Sequence, residues 1–176
     1  MRIFSFVLTA VLAVACKGGY SFTGGDVGNA KTLSVEAFGN RADLINPMLA
    51  QRFTTELQSV MVRQTPLSLV GREGDLQFSG AIVEYSVRSE APAANDQVAQ
   101  SRLSISVEVV FVNTLDDKKS FTQRFSAFRN FPASADLRSV EDGLVEEMVS
   151  ELSDKIFNRA LVQWSGRCSA GSRSLG

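Results

Sequence analysis

Two periodicities alternate along the chain, and their order predicts an architecture. Thr32 to Phe38 alternates, with Leu33, Val35 and Ala37 on one side, which predicts a short strand. After a polar turn from Asn40 to Asn46, Pro47 suits the first turn of a helix. From there to Arg63 the apolar spacing becomes three and four, through Leu49, Phe53, Leu57, Val60 and Met61, as in an amphipathic helix with one buried face. Pro66 follows its end, and Leu67 to Val70 is a candidate brief strand before the turn Gly71-Arg72-Glu73-Gly74. Leu76, Phe78 and Ile82 then share one strand face, whereas Val83, Tyr85 and Val87 share the other. That phase shift predicts a bulge, or a strand whose halves face different neighbours. Ser89 to Gln100, which contains Pro92, reads as a loop.

Leu103 to Val112 alternates without a break, with Leu103, Ile105, Val107, Val109 and Phe111 on one face. A charged turn from Leu115 to Lys119 leads to the next strand, Phe121 to Phe128, in which Phe121, Phe125 and Ala127 oppose Thr122, Arg124 and Ser126. Strands joined by short turns pair antiparallel. After Phe131-Pro132, Ser139 with Asp142 three residues on is a capping-box pattern. A second helix follows, with Val140, Leu144, Met148, Leu152, Ile156 and Leu161 along its apolar stripe and Val145, Phe157 and Ala160 widening it. The expected fold is α+β, a two-layer sandwich. Two amphipathic helices pack on one face of a mainly antiparallel sheet of four strands, or five, in one domain over residues 31–164.

The N-terminus changes the picture. Arg2 and the apolar run Ile3 to Val14 are too short to span a bilayer, which takes roughly 20 residues, and fit a signal peptide over residues 1–15. Ala13-Val14-Ala15 is an ordinary A-x-A cleavage site; followed by Cys16, the same residues resemble a lipobox, with Ala13 where leucine is usual. Cys16 is therefore the expected lipid anchor, with plain signal-peptidase cleavage as the alternative. Acyl chains there would hold the protein to a membrane, each buried methylene contributing about 0.8 kcal/mol. Lys17 is not the aspartate that retains lipoproteins at the inner membrane, so the expected location is the periplasmic face of the outer membrane. Residues 16–30 read as a lipidated tether and 165–176, with Cys168, as a disordered tail for which the sequence suggests no role.

Composition mainly excludes. Histidine is absent, which removes Ser-His-Asp and Cys-His arrangements and most transition-metal sites. A net charge of −1 gives no global field to draw the chain onto nucleic acid. The carboxylate pairs Asp116-Asp117, Glu141-Asp142 and Glu146-Glu147 fall in a turn or on a helix surface, not in the buried setting that acid–base work needs. No cofactor or metal is expected, and no catalytic residue. Arg outnumbers Lys by 13 to 5, and Arg suits bidentate contact with phosphate or carboxylate.

Several segments resemble one family. Gly19-Tyr20-Ser21-Phe22-Thr23-Gly24, Lys31 to Glu36, Asn40-Arg41 and Asn46-Pro47 with Gln51, Phe53 and Thr54 come first. Gly74-Asp75-Leu76-Gln77-Phe78 with Gly80, Arg102-Leu103 with Ile105, and Asp154 to Asn158 with Trp164 follow. In order and spacing, over about residues 16–164, they resemble the LptE lipoproteins of lipopolysaccharide assembly in their Bacteroidota form. The resemblance implies a non-enzymatic α/β sandwich that partners the outer-membrane β-barrel LptD, sits partly inside it as a plug and assists its assembly. Other members of the family bind lipopolysaccharide through basic residues, whose positions do not align with this sequence motif by motif.

With that implication, Arg88, Arg102, Arg124 and Arg129, on strands or their ends, become candidate contacts for the phosphates or sugar acids of lipopolysaccharide; the plainer alternative is solvent-facing residues in weak surface pairs. Phe128 falls opposite the core positions Phe121 and Phe125 and is a candidate partner contact. The competing functions are an auxiliary lipoprotein of another envelope lipid or solute transport system, and a periplasmic hydrolase, for which no motif is present.

Overall fold

The structure is a computed structural model and describes residues 27–43, 46–90 and 99–162. The expectations for the signal segment, Cys16, most of the tether, Cys168 and the tail lie outside these residues. The elements are β1 (Thr32–Val35), β2 (Gly39–Asn40), α1 (Leu49–Gln64), β3 (Ser68–Val70), β4 (Leu76–Glu90), β5 (Gln100–Asn113), β6 (Phe121–Pro132) and α2 (Leu137–Phe157). A short turn of 3-10 helix, Asp117–Lys119, precedes β6, and a widened turn, Asn158–Val162, closes α2.

The strands form one sheet in the order β3-β1-β4-β5-β6, with β2 also paired to β4. β4, β5 and β6 make the expected antiparallel meander. β1, however, runs parallel to both β3 and β4, and β2 parallel to β4. Among the described residues the sheet is thus six-stranded and mixed, which corrects the mainly antiparallel one of four or five strands. The cause is the connection: α1 carries the chain from the end of β2, which follows β1 along β4, back to the start of β3, as a helical crossover does.

β1 and β2 are two halves of one rail along β4. Leu33–Val35 pairs with Leu76–Phe78, and Gly39–Asn40 with Ala81–Ile82. Between them the alternation breaks, so Phe38, not Ala37, enters the core. Its ring meets Phe53 edge-on at 4.8 Å. Gly80 makes the room: a Cβ there would lie 2.0 Å from the Glu108 carbonyl oxygen and 2.8 Å from Cε1 of Phe38.

The expected bulge is at Val83, where the β4–β5 register shifts between Ile82 and Glu84. One extra residue keeps Tyr85 on the same side as Ile82, opposite Ile105 and Val107 respectively, so both are buried. The five apolar residues expected to face inward from α1 are the five it buries. α2 begins earlier than expected. Asp136 caps it by accepting from the Arg138 N–H at 3.3 Å, while the Ser139 hydroxyl donates to the Asp136 carbonyl at 2.6 Å. The helix buries Val145, Met148, Val149, Leu152, Ile156 and Phe157; Val140 and Leu144 are half-buried. Both helices share one core with one face of the sheet. Each large aliphatic or Phe side chain sealed there contributes roughly 1.5–3 kcal/mol.

Two polar knots fix the layers. Asp75, at the start of β4, accepts from the backbone N–H groups of Lys31 at 2.8 Å and Thr32 at 3.0 Å, and its own N–H donates to the Thr32 hydroxyl at 3.0 Å. The Lys31 and Thr32 N–H groups hold its carboxyl below the usual range. Tyr85 donates from its hydroxyl to Glu141 on α2, which also accepts from the Asn46 side-chain amide at 2.8 Å, just before α1. Burial, and then the Glu141 carboxylate, push the Tyr85 phenol pKa up strongly.

Candidate functional site

The face of the sheet turned away from the helices is polar, and register places its side chains in rows across β4, β5 and β6. Arg88, Arg102 and Asn130 form one row; Ser86, Ser104 and Phe128 the next; then Glu84, Ser106 and Ser126; then Ala81, Glu108 and Arg124. Three of the four candidate arginines and Phe128 therefore share this open face.

Arg102 is engaged within the face. Its Nε lies 3.1 Å from Asn130 Oδ1 and 3.2 Å from a Glu90 carboxylate oxygen, and its guanidinium carbon sits 4.4 Å above the Phe128 ring. Phe128 is 54% exposed, so its ring presents apolar surface beside that cation. Arg88 lies directly opposite Arg102. Among the described residues neither Arg88 nor Arg124 makes an ion pair, and both are exposed. Like charges placed opposite each other cost stability unless a counter-charge lies between them.

Behind these cations runs a chain of hydrogen bonds. Ser86 and Ser106 donate to the two carboxylate oxygens of Glu84 at 3.0 and 2.9 Å, and the Ser106 and Ser126 hydroxyls are 2.9 Å apart. The Ser106 hydroxyl chiefly holds the Glu84 carboxyl below its usual range, opposed by partial burial and aided by Ser86 and by the charges of Arg88 and Arg124. A recess of about 440 Å³ opens here, lined by Asp43, Glu84, Ser86, Arg88 and Arg124 among others. Such an arrangement can bind an anion and a sugar hydroxyl. It offers guanidinium and hydroxyl donors and a fixed carboxylate acceptor.

Arg129 does not belong with the other three. It lies one residue further along β6, so it points to the helix side, where it meets Glu147 at 2.9 Å and Glu151 at 2.6 Å on α2. Its sequence candidacy rested on charge alone, and period two separates it from Phe128. Glu84, Ser106 and Ser126 lie on β4, β5 and β6, and the local sequence marks each only as one of the residues that alternate with the buried apolar positions.

A family model for LptE, lipopolysaccharide-assembly, matches residues 30–160. The chain belongs to the LptE family. It is an envelope lipoprotein family of lipopolysaccharide assembly, non-enzymatic, and the chain has its role there. A comparison with curated protein sequences finds none that matches. Among solved structures, lipoprotein B from Nitrosomonas europaea is similar with a TM-score of 0.55 at 12% identity, over 78% of this chain and 86% of that one. A minor lipoprotein from Acinetobacter baumannii gives a TM-score of 0.48 at 16% identity over 74% and 91% of the two chains. Rare lipoprotein B from Shewanella oneidensis gives 0.44 at 15% identity over 72% and 90%. At such identities the first of these speaks to the fold alone, and the LptE fold here is the mixed sheet with two helices on one side.

Proposed function

We propose that this LptE-family protein is a non-enzymatic lipoprotein, anchored through acyl chains on Cys16 at the periplasmic face of the outer membrane, that partners an LptD-type β-barrel and offers its open sheet face to lipopolysaccharide. The observation that carries the reading is the cross-strand pair Arg88 and Arg102 beside the exposed ring of Phe128. Arg88 and Arg102 start from in-register positions on paired strands, so a phosphate or sugar acid can draw on both, each presenting two parallel N–H donors to its oxygens, with Arg102 exchanging its Glu90 contact for the ligand. Phe128 provides the apolar surface that an acyl chain or a barrel wall would cover. Arg124 adds a third cation at the recess, and Arg129 is left out because α2 already neutralises it.

The test places a photo-crosslinking residue at Phe128 and, separately, at Val62 on the helix side, which is also exposed. Mild detergent extraction should recover a large barrel protein in equal amount with this chain, and crosslinks from position 128 should contain that barrel or lipopolysaccharide. Recovery with inner-membrane transport components instead would move the protein to another envelope system. Crosslinks from position 62 alone would remove the open face from the reading.

A further inference from the structure

Arg88 and Arg124 do not stand alone on the open face. The recess of about 440 Å³ that they line is lined also by Glu84 and by Asp43, from the connection between β2 and α1. Two cations and two carboxylates, brought by β4, β6 and that connection, thus share one cavity. Register sets Glu84 between the cations: Arg88 lies two rows along β4, and Arg124 lies in the adjoining row on the other side. Yet none of the four is in an ion pair among the described residues, and Arg124 does not pair with Glu108, its in-register neighbour. The Ser106 hydroxyl does most to hold the Glu84 carboxyl down, and the charges of Arg88 and Arg124 add to it. Both guanidiniums therefore act on this carboxylate without closing on it.

A ligand here must answer both signs. A bare anion entering the recess faces Asp43 and Glu84, and a bare cation faces the guanidiniums, so each meets repulsion as well as attraction. A group that carries both a phosphate and a protonated amine offers every one of the four an opposite charge. Glu84 is prepared for the amine: each of its carboxylate oxygens accepts one serine hydroxyl, which fixes the group and leaves further lone pairs for an ammonium N–H. Arg124 and Arg88 can each present two parallel N–H donors to phosphate oxygens. We propose that this recess binds a phosphoethanolamine group, its ammonium taken by Glu84 and Asp43 and its phosphate by Arg124, with Arg88 as the second cation. This site rests on the reading of the open face as the side that meets lipopolysaccharide. The group has two sources of the same chemistry, the headgroup of phosphatidylethanolamine and a phosphoethanolamine substituent on lipopolysaccharide.

The experiment follows the amide resonances of the full chain in detergent as O-phosphoethanolamine, ethyl phosphate or ethylamine is added. Phosphoethanolamine should bind roughly tenfold more tightly than either half-molecule, the gain expected of one further charge-assisted hydrogen bond. Glu84→Gln should bring it down to the affinity of ethyl phosphate and leave ethyl phosphate no weaker. Asp43→Asn, at an exposed position, should move it the same way. Arg124→Ala should weaken both phosphate ligands, whereas Arg129→Ala, which deletes the same charge on the helix side, should behave as the parent. Equal binding of phosphoethanolamine and ethyl phosphate by the parent overturns the proposal, and so does an amine preference that survives both carboxylate variants. Two further comparisons tell the sources apart. One sets phosphatidylglycerol vesicles with phosphatidylethanolamine against the same vesicles with phosphatidylcholine, whose ammonium has no N–H; the other sets lipopolysaccharide with phosphoethanolamine against lipopolysaccharide without it. No preference in either comparison also overturns the proposal. Crosslinks from position 128 without an amine preference would remove the recess and keep the wider reading; an amine preference without those crosslinks would do the reverse.

Discussion

The guanidinium of Arg102 lies 4.4 Å above the ring of Phe128, across the β5–β6 pair and on the side of the sheet away from α1 and α2. This contact is worth about 0.5–1 kcal/mol at an exposed site, so Phe128→Ala should lower stability by no more than about 1 kcal/mol in a urea melt. The same substitution should sharply reduce the lipopolysaccharide or barrel recovered with the chain after mild detergent extraction, without a crosslinker. A large stability loss with unchanged recovery would make Phe128 a structural residue and remove it from the site.

Arg88→Ala and Arg124→Ala delete cations with no ion pair among the described residues, so each should leave stability within about 0.5 kcal/mol. The double variant should bind purified lipopolysaccharide several-fold more weakly, with a smaller loss on adding salt than the parent shows. Equal binding by parent and variant across the salt series would refute their part in the site.

Gly80 and Gly143 should respond to alanine with opposite signs. At Gly80 the new methyl meets the Glu108 carbonyl and the Phe38 ring inside the sheet, and Gly80→Ala should cost about 3 kcal/mol, at the upper end for overpacking. At Gly143, within α2, nothing lies within 4 Å of the added Cβ. Gly143→Ala should stabilise by about 0.5–1 kcal/mol through helix propensity. Thermal melts of the two variants decide both signs.

Asp75 links pH to folding. Its carboxyl is held below the usual range by the Lys31 and Thr32 N–H groups, so its contribution is complete above the ordinary aspartate pKa, about 4. That contribution is lost as pH falls from there through the lower folded-state value. Asp75→Asn should lower stability at neutral pH and show a shallower fall below pH 4 than the parent, in urea melts taken across the series. Parallel acid limbs in the two proteins would show that Asp75 is not coupled to folding.

Tyr85→Phe removes one donor to Glu141 and keeps the ring in the core. Because the Asn46 amide still donates to Glu141, the expected cost is about 1 kcal/mol. A loss several times larger would mean that the hydroxyl organises the junction of β4, α1 and α2 as a unit.

Residue pattern alone placed the buried stripe of α1, the alternation of β5 and the bulge near Val83, because burial on one side of a helix or strand repeats with a local period. It also placed Phe128 opposite Phe125. Strand direction has no such signature: β1 alternates identically whether its neighbour runs with it or against it, so the parallel pairing with β3 and β4 was invisible. Likewise the Ser139 box was outcompeted by Asp136, an equally good cap three residues earlier.

What the chain determines by itself is which side chains leave water, since that follows from hydrophobic period and turn chemistry over a few residues. What tertiary structure decided is which of the arginines are available. Arg88 meets Arg102 only because β4 pairs with β5, and Arg129 is spent on Glu147 and Glu151 only because α2 crosses that edge. The partners of Arg129 lie 18 and 22 residues away in sequence, and no local period encodes distances of 2.9 and 2.6 Å across such gaps.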